Sequence, residues 1–236
     1  MLDARRVLAV VPARGGSKGI PLKNLRTVKG RSLISRVAEV IRDVTEIDRA
    51  VISTDHAGIA AAAEEVGLTV PFYRPQALAG DFVGDVDVLK HALLTTEDID
   101  NKRYDVVVML QPTSPLRTAS DVSATIHKLV DEDWDSVWTV SLTDSKAHPL
   151  KQLTITDGEL DYYDSAGANV IARQQMQPVY HRNGAAYALT RNCLLEQHAL
   201  KGKRAGALVI DGDYVSIDTE FDIEIVEFYL DRREGR

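Results

Sequence analysis

The sequence predicts an α/β fold: a doubly wound, mostly parallel sheet carrying one small antiparallel excursion. Three observations point there. The chain opens on an unbroken apolar run, strand-like and helix-like patterns then alternate, and the loops richest in Gly, Pro and basic residues begin where strand-like runs end. At 236 residues the chain falls within the span that α/β folds fill as one domain, and folding buries roughly 70% of the unfolded surface at this size. The expected organisation is a single domain over 1–236 with an inserted excursion over 144–180.

The run Val7-Leu8-Ala9-Val10-Val11 is apolar at every position, as a strand buried on both faces must be, and it stops at Pro12. From Ser32, Leu33, Ile34, Val37, Ile41 and Val44 recur at helical spacing, and Ala50 to Ser53 reads as the next strand. The pattern continues with a helix from His56 to Val66, a short strand from Leu68 to Phe72, a helix from Val86 to Thr95 and a strand from Val106 to Leu110. A helix from Ala119 to Val130 and a strand from Ser136 to Leu142 follow. Gln152 to Thr156 and Glu159 to Tyr163 flank Asp157-Gly158, a hairpin signal, so 144–180 reads as the antiparallel excursion. Strands at Ala185 to Leu189 and Ala207 to Ile210 return to the core. A last helix from Glu220 to Arg232 is expected to expose a contact stripe through Ile223, Val226 and Tyr229.

Composition excludes several functions. A net charge of −7 argues against a general nucleic-acid surface, which needs clustered Lys and Arg to neutralise phosphates. No run is long enough to span a bilayer. Met1 leads into Asp3, Arg5 and Arg6 rather than an apolar leader, and Cys193 is the single cysteine, so a soluble cytoplasmic protein with no disulfide framework is expected. Cys193 reads as packing, and the six histidines have no zinc-ligand spacing.

Any phosphate site must therefore be local, and Arg14 to Lys23 meets that demand with three basic residues and no acidic one. Gly15, Gly16 and Gly19 lack the Cβ atoms that would keep backbone amides from phosphate oxygens, while Arg14, Lys18 and Lys23 add charged donors. The spacing matches neither a Walker loop nor a dinucleotide-binding Gly-x-Gly-x-x-Gly motif.

Ala13-Arg14-Gly15-Gly16-Ser17-Lys18-Gly19-Ile20-Pro21-Leu22-Lys23-Asn24 resembles the signature of the acylneuraminate cytidylyltransferase family, the CMP-sialic acid synthetases. The resemblance runs on through Ser53-Thr54-Asp55, Arg74-Pro75, Gln111 to Arg117, His148 to Lys151, Arg173 to Gln175, Asn183 to Ala185 and Ile217 to Glu220, covering nearly the whole chain. It implies a Rossmann-like core with a dimerisation excursion, Mg2+ as cofactor, CTP and an acidic nine-carbon sugar as substrates, and a homodimer. By the same resemblance Arg14, Ser17, Lys18 and Lys23 serve the phosphates, and Asn24, Arg74 and Gln111 lie at the nucleoside or the sugar beside it. Lys151 and Arg173 hold the acid, and Tyr187 contacts the sugar. Asp218 binds the metal, removes a proton, or does both.

Each assignment has a plainer counterpart. Asp218 before Thr219-Glu220 also suits a helix cap, Tyr187 a core aromatic, and Lys151 or Arg173 a surface ion pair; His148 either meets substrate or fixes the excursion's backbone. Three departures from the family pattern bear on the acid. Ser216 stands where many members place the first of two metal-site carboxylates, leaving substrate phosphate, Asp211, Asp213 or Asp222 as sources of a second ligand. Tyr180-His181-Arg182 precedes Asn183 in place of an aromatic, Arg and Pro, and His198 to Lys201 lacks a phenylalanine pair. Alternatives are a guanylyltransferase for a modified sugar, a KDO-type cytidylyltransferase, and a non-catalytic nucleotide-sugar-binding protein.

Overall fold

The structure, a computed structural model, describes residues 2, 4–212 and 214–235. Its main sheet has the strand order β10-β6-β9-β5-β1-β4. The strands are β1 (Val7–Pro12), β4 (Arg49–Ser53), β5 (Val106–Met109), β6 (Ser136–Leu142), β9 (Tyr180–Thr190) and β10 (Ala205–Val209). β4, β1 and β5 run parallel, as do β6 and β10; β9 lies antiparallel between β5 and β6. A short ribbon, β2 (Thr27–Val28) with β3 (Arg31–Ser32), leads into the first helix.

Alternation along each central strand explains why the apolar runs are unbroken. Val7, Ala9 and Val11 of β1 and Val106 and Val108 of β5 pack beneath α1 (Leu33–Arg42), α2 (Ala57–Glu65) and α4 (Ala119–Asp131). Leu8, Val10, Val107 and Met109 face the other way, against α3 (Asp85–Asp100) and α5 (Arg191–Leu195). Neither face meets water, and each fully buried Val or Leu contributes about 1.5–3 kcal/mol. The helices start where their caps demand. The Ser32 hydroxyl accepts from Ser35 N at 3.0 Å, the His56 ring accepts from Gly58 N at 3.1 Å, and Thr118 with Asp121 forms a capping box.

Three expectations need correction. Leu68 to Phe72 makes only a single bridge, Thr69 to Val51, because Pro71 has no N–H with which to continue a ladder. β9 extends five residues further toward its start than the apolar pattern suggests, through exposed Tyr180, His181 and Arg182. The proposed contact stripe on α6 (Glu220–Glu234) is internal. Ile223 and Val226 pack with Ile20, Val28, Leu33, Leu116 and Ile217, with Tyr229 against them, because the helix folds back over the loop after β1. Phe221 and Phe228 are large apolar residues that it does expose.

Within 144–180, β7 (Leu153–Thr156) and β8 (Glu159–Tyr162) form the expected hairpin. Asp157 and Gly158 both have positive φ, 53° and 87°, as a type I′ turn requires. His148 fixes this segment's backbone: one ring nitrogen accepts from Leu150 N at 3.2 Å and the other lies 3.0 Å from Gln177 O. Among the described residues no helix is long and apolar enough to cross a membrane.

Candidate active site

The chain segments leaving β1, β4 and β5 meet at one edge of the sheet. β1 connects to β4 on one side while β5 lies on the other, which makes this the crevice where ligands of open α/β sheets bind. A cleft of about 450 Å³ opens there, and Arg14, Ser17, Lys18, Lys23, Asn24, Arg74, Gln111 and Asp218 all line it.

The loop is held in shape from below. The Asn24 amide donates to Arg14 O at 3.0 Å, and Gly15 N donates to the Asp55 carboxylate at 2.9 Å. Gly19 is required by packing: a Cβ there would sit 2.5 Å from Asp218 O, so only glycine admits the segment before α6. The buried Arg74 donates to the Ser53 hydroxyl (3.0 Å) and Ser53 O (2.6 Å), tying the 71–75 segment to the end of β4. Burial lowers its pKa, and the charges of Asp55 and Asp85 act in the opposite direction.

The cleft's cations are counterbalanced by resident carboxylates. Arg14 and Lys18 share Asp81, at 2.9 and 2.7 Å, and the Lys18 hydrogen bond leads in holding Asp81 below the usual carboxylate range. Lys23 donates to Asp218 Oδ1 and to Ile217 O, each at 2.7 Å. The structure also decides how α6 is capped. Thr219 is the N-cap, and Asp222 accepts from Asp218 N (2.9 Å), Thr219 N (2.7 Å) and the Thr219 hydroxyl (2.9 Å). The Asp218 carboxylate takes no part in capping and lies at the cleft, 76% exposed.

A second cavity, about 290 Å³, adjoins the first through the shared residues Asp85, Gln111 and Asp218. Its wall is a bulge in β9. Trp138 pairs with Tyr187 and Val140 with Arg182, so the strand carries extra residues between those two points. The Thr139 hydroxyl meets Asn183 Oδ1 at 2.7 Å and accepts from Ala186 N at 2.9 Å, while the Asn183 amide donates to the Ser141 hydroxyl at 3.0 Å. Gly184 has φ +72°, and a Cβ there would lie 2.4 Å from Ser114 Oγ. Buried Arg117 donates to the carbonyls of Gln111 and Gly184, bracing the exit of β5 against the bulge. Tyr187, on the cavity wall, stacks edge-on against Trp138 at 5.4 Å, and burial raises its pKa.

The predicted residues thus converge, with two exceptions. Lys151 and Arg173 sit on exposed one-turn helices of the excursion and line neither cavity. Of the proposed partners for Asp218, Asp222 is engaged in the cap and Asp211 is exposed and lines neither cavity, while Asp213 lies outside the described residues. Ser216 lines the second cavity, its hydroxyl 3.5 Å from that of Thr113. Residues that the sequence reading missed are Asp81, Asp85 and Arg182. None lies in a glycine or proline motif, and only the fold carries the 81–85 segment across to the loop after β1.

A family model described as cytidylyltransferase matches residues 8–229. The chain belongs to this family. Among its relatives, post-translational flagellin modification protein B of Campylobacter coli is 28% identical, over 95% of this chain and 94% of that protein. The CMP-N,N'-diacetyllegionaminic acid synthase of Legionella pneumophila is 29% identical, over 94% and 95%. Among solved structures, CMP:2-keto-3-deoxy-manno-octonic acid synthetase complexed with CTP superposes with a TM-score of 0.69 at 18% identity, covering 97% of this chain and 99% of that one. That likeness shows a mixed α/β fold with a mostly parallel central sheet. Membership in the family makes the protein a nucleotidyltransferase.

Proposed function

We propose that this cytidylyltransferase-family enzyme transfers CMP from CTP to the anomeric hydroxyl of a sialic-acid-like nine-carbon 2-keto-3-deoxy acid and releases pyrophosphate. The observation that carries the reading is the pair of adjoining cavities: a cation-lined cleft at the glycine loop, and a second chamber with an arginine and an aromatic wall, meeting at Gln111, Asp85 and Asp218. A triphosphate suits the first and an acidic sugar the second, with the α-phosphate at their junction. There the acceptor oxygen forms its bond to phosphorus as the bond to the β-phosphate breaks. Such transfers depend on positioning and on neutralising charge. Arg14, Lys18 and Lys23 stand ready for the phosphates, with Asp81 and Asp218 as the carboxylates that they leave or share.

Among the described residues no three His, Cys, Asp or Glu side chains gather to hold a metal. Mg2+ takes one or two protein carboxylates and completes its shell with water and phosphate oxygens, so the exposed Asp218 carboxylate fits it. Bound there, Mg2+ would neutralise charge developing at the phosphates. Asp218 also stands where the acceptor's proton must leave.

The excursion supports a homodimer. Leu153, Ile155, Leu160 and Tyr162 share one face of the β7–β8 hairpin by their register, and all are exposed. A hairpin this short needs a partner surface, and a second copy supplies one.

Pyrophosphate release from CTP and Mg2+ with N,N'-diacetyllegionaminic, pseudaminic or N-acetylneuraminic acid tests the reading. Turnover with GTP instead of CTP would favour the guanylyltransferase alternative. Tight CTP binding with no turnover on any acid would favour a binding protein.

A further inference from the structure

We propose that Arg182 and Asp85 together read the acceptor, Arg182 taking its carboxylate and Asp85 accepting a hydrogen bond from a hydroxyl or amide N–H of the same molecule. The assignment rests on the CMP-transfer reading and adds to it the residues that choose and orient the acid.

Both side chains line the second cavity, and Asp85 also lines the nucleotide cleft, so it stands at the junction. Their lack of partners sets them apart. Arg14, Lys18 and Lys23 each hold a carboxylate, whereas Arg182 makes no ion pair and donates no hydrogen bond to any described residue. Its guanidinium is instead held over the Trp138 ring, 5.6 Å from the centroid. A stacked guanidinium keeps its planar fork of donors free for a bidentate anion. Asp85, at the first position of α3, likewise receives no hydrogen bond from a described residue, and it meets Arg74 and Arg182 only at longer range. A carboxylate in a wall with no donor of its own is satisfied when a ligand brings one.

The two charges also fix direction. An acid entering with its carboxylate toward Asp85 is repelled, and one entering toward Arg182 is attracted, so a single orientation remains. Of the chamber's other lining residues Ser216 is uncharged, and the second carboxylate, Asp218, is already paired with Lys23. Lys151 and Arg173 line neither cavity, which leaves Arg182 as the cation that this chain brings to the chamber among the described residues. Its position directly before Asn183 matters: the bulge that displaces β9 from its register with β6 begins there, and Arg182 is the last residue paired before it.

The test is steady-state kinetics with the best of the three acids named above, on wild type, Arg182→Gln, Arg182→Lys and Asp85→Asn, with calorimetric CTP binding to confirm each fold. Losing a charged hydrogen bond raises the acceptor KM roughly tenfold to a hundredfold in Arg182→Gln, with CTP affinity within about threefold of wild type. Arg182→Lys recovers part of the loss. The methyl ester of the same acid, used as a competitor, should bind wild type far more weakly than the acid does, and Arg182→Gln should no longer distinguish the two. Asp85→Asn should raise the acceptor KM while keeping the preference for acid over ester. An unchanged acceptor KM in Arg182→Gln, or undiminished discrimination against the ester, overturns the assignment. A wild type that binds CTP but uses none of the acids overturns the CMP-transfer reading itself.

Discussion

Asp218→Asn separates catalysis from folding, because the structure fixes what the carboxylate does in the absence of substrate. Its one side-chain partner among the described residues is Lys23, at 2.7 Å, and the carboxylate is 76% exposed. Exposed pairs of this kind are worth about 0–1 kcal/mol. The amide oxygen of asparagine still accepts from Lys23, and α6 keeps its Thr219–Asp222 cap. Folding should therefore lose at most about 1 kcal/mol, or roughly 2–4 °C in Tm for a chain of this length. On the proposed reading CTP binding should change by no more than about fivefold, since Arg14 and Lys18 remain to hold the triphosphate. Turnover should fall at least a hundredfold, because about 3 kcal/mol or more of transition-state stabilisation goes with a carboxylate that meets Mg2+ or the acceptor's proton. Calorimetric titration of CTP beside steady-state rates measures both. A folded Asp218→Asn protein retaining more than about a third of wild-type kcat would refute the catalytic role.

Asp81→Asn removes the carboxylate that Arg14 and Lys18 share, so the KM for CTP should drop by up to about fivefold; a rise in KM would mean that Asp81 helps to hold the nucleotide or its metal. Arg117→Ala leaves the carbonyls of Gln111 and Gly184 without their buried donor, and urea denaturation should register a loss of about 2–4 kcal/mol. Ile155→Asp with Leu160→Asp places two charges on the apolar face of the hairpin; on the proposed reading, light scattering should report a dimer for wild type and a monomer for this variant. Asp85→Asn should stabilise the fold at pH 7. Burial raises the carboxyl's pKa above 3.8 against the opposing charges of Arg74 and Arg182, and it also sits close enough to Tyr187 to influence that residue. Its ionised form is thus penalised in the folded state; the advantage of asparagine, full above the folded pKa, should fade in melts as pH falls toward 3.8.

The parallel half of the sheet was legible because its strands are buried on both faces and their sequences are apolar without a break. The glycine loop was legible for the same kind of reason, its residue types and spacing being local. What escaped the sequence depends on long-range placement. Arg182 and Tyr180 lie on the polar stretch of β9, which reads as loop because the strand leaves the core before it leaves the sheet. Asp81 reaches Arg14 only after α3 has packed on β1. The stripe on α6 was misread because periodicity marks an apolar face without saying what covers it. That Thr219 and not Asp218 caps α6 turns on one residue's difference in position, finer than any pattern resolves.

The reversed direction of β9 has a consequence for how such a protein changes over time. The strands that end at the first cleft run toward it, so that cleft hangs on the tips of strands buried on both faces. β9 runs the other way: it begins beside the excursion with exposed Tyr180, His181 and Arg182, and it lines the second chamber between Arg182 and Tyr187 as it enters the core. On the proposed reading, the wall that faces the acid is therefore continuous with the exposed excursion, and the cleft that takes the nucleotide is not. Substitutions in 144–182 can reshape one half of the specificity while the other half stands still, and two proteins that share the first motif in full can differ freely in the sugar that they accept.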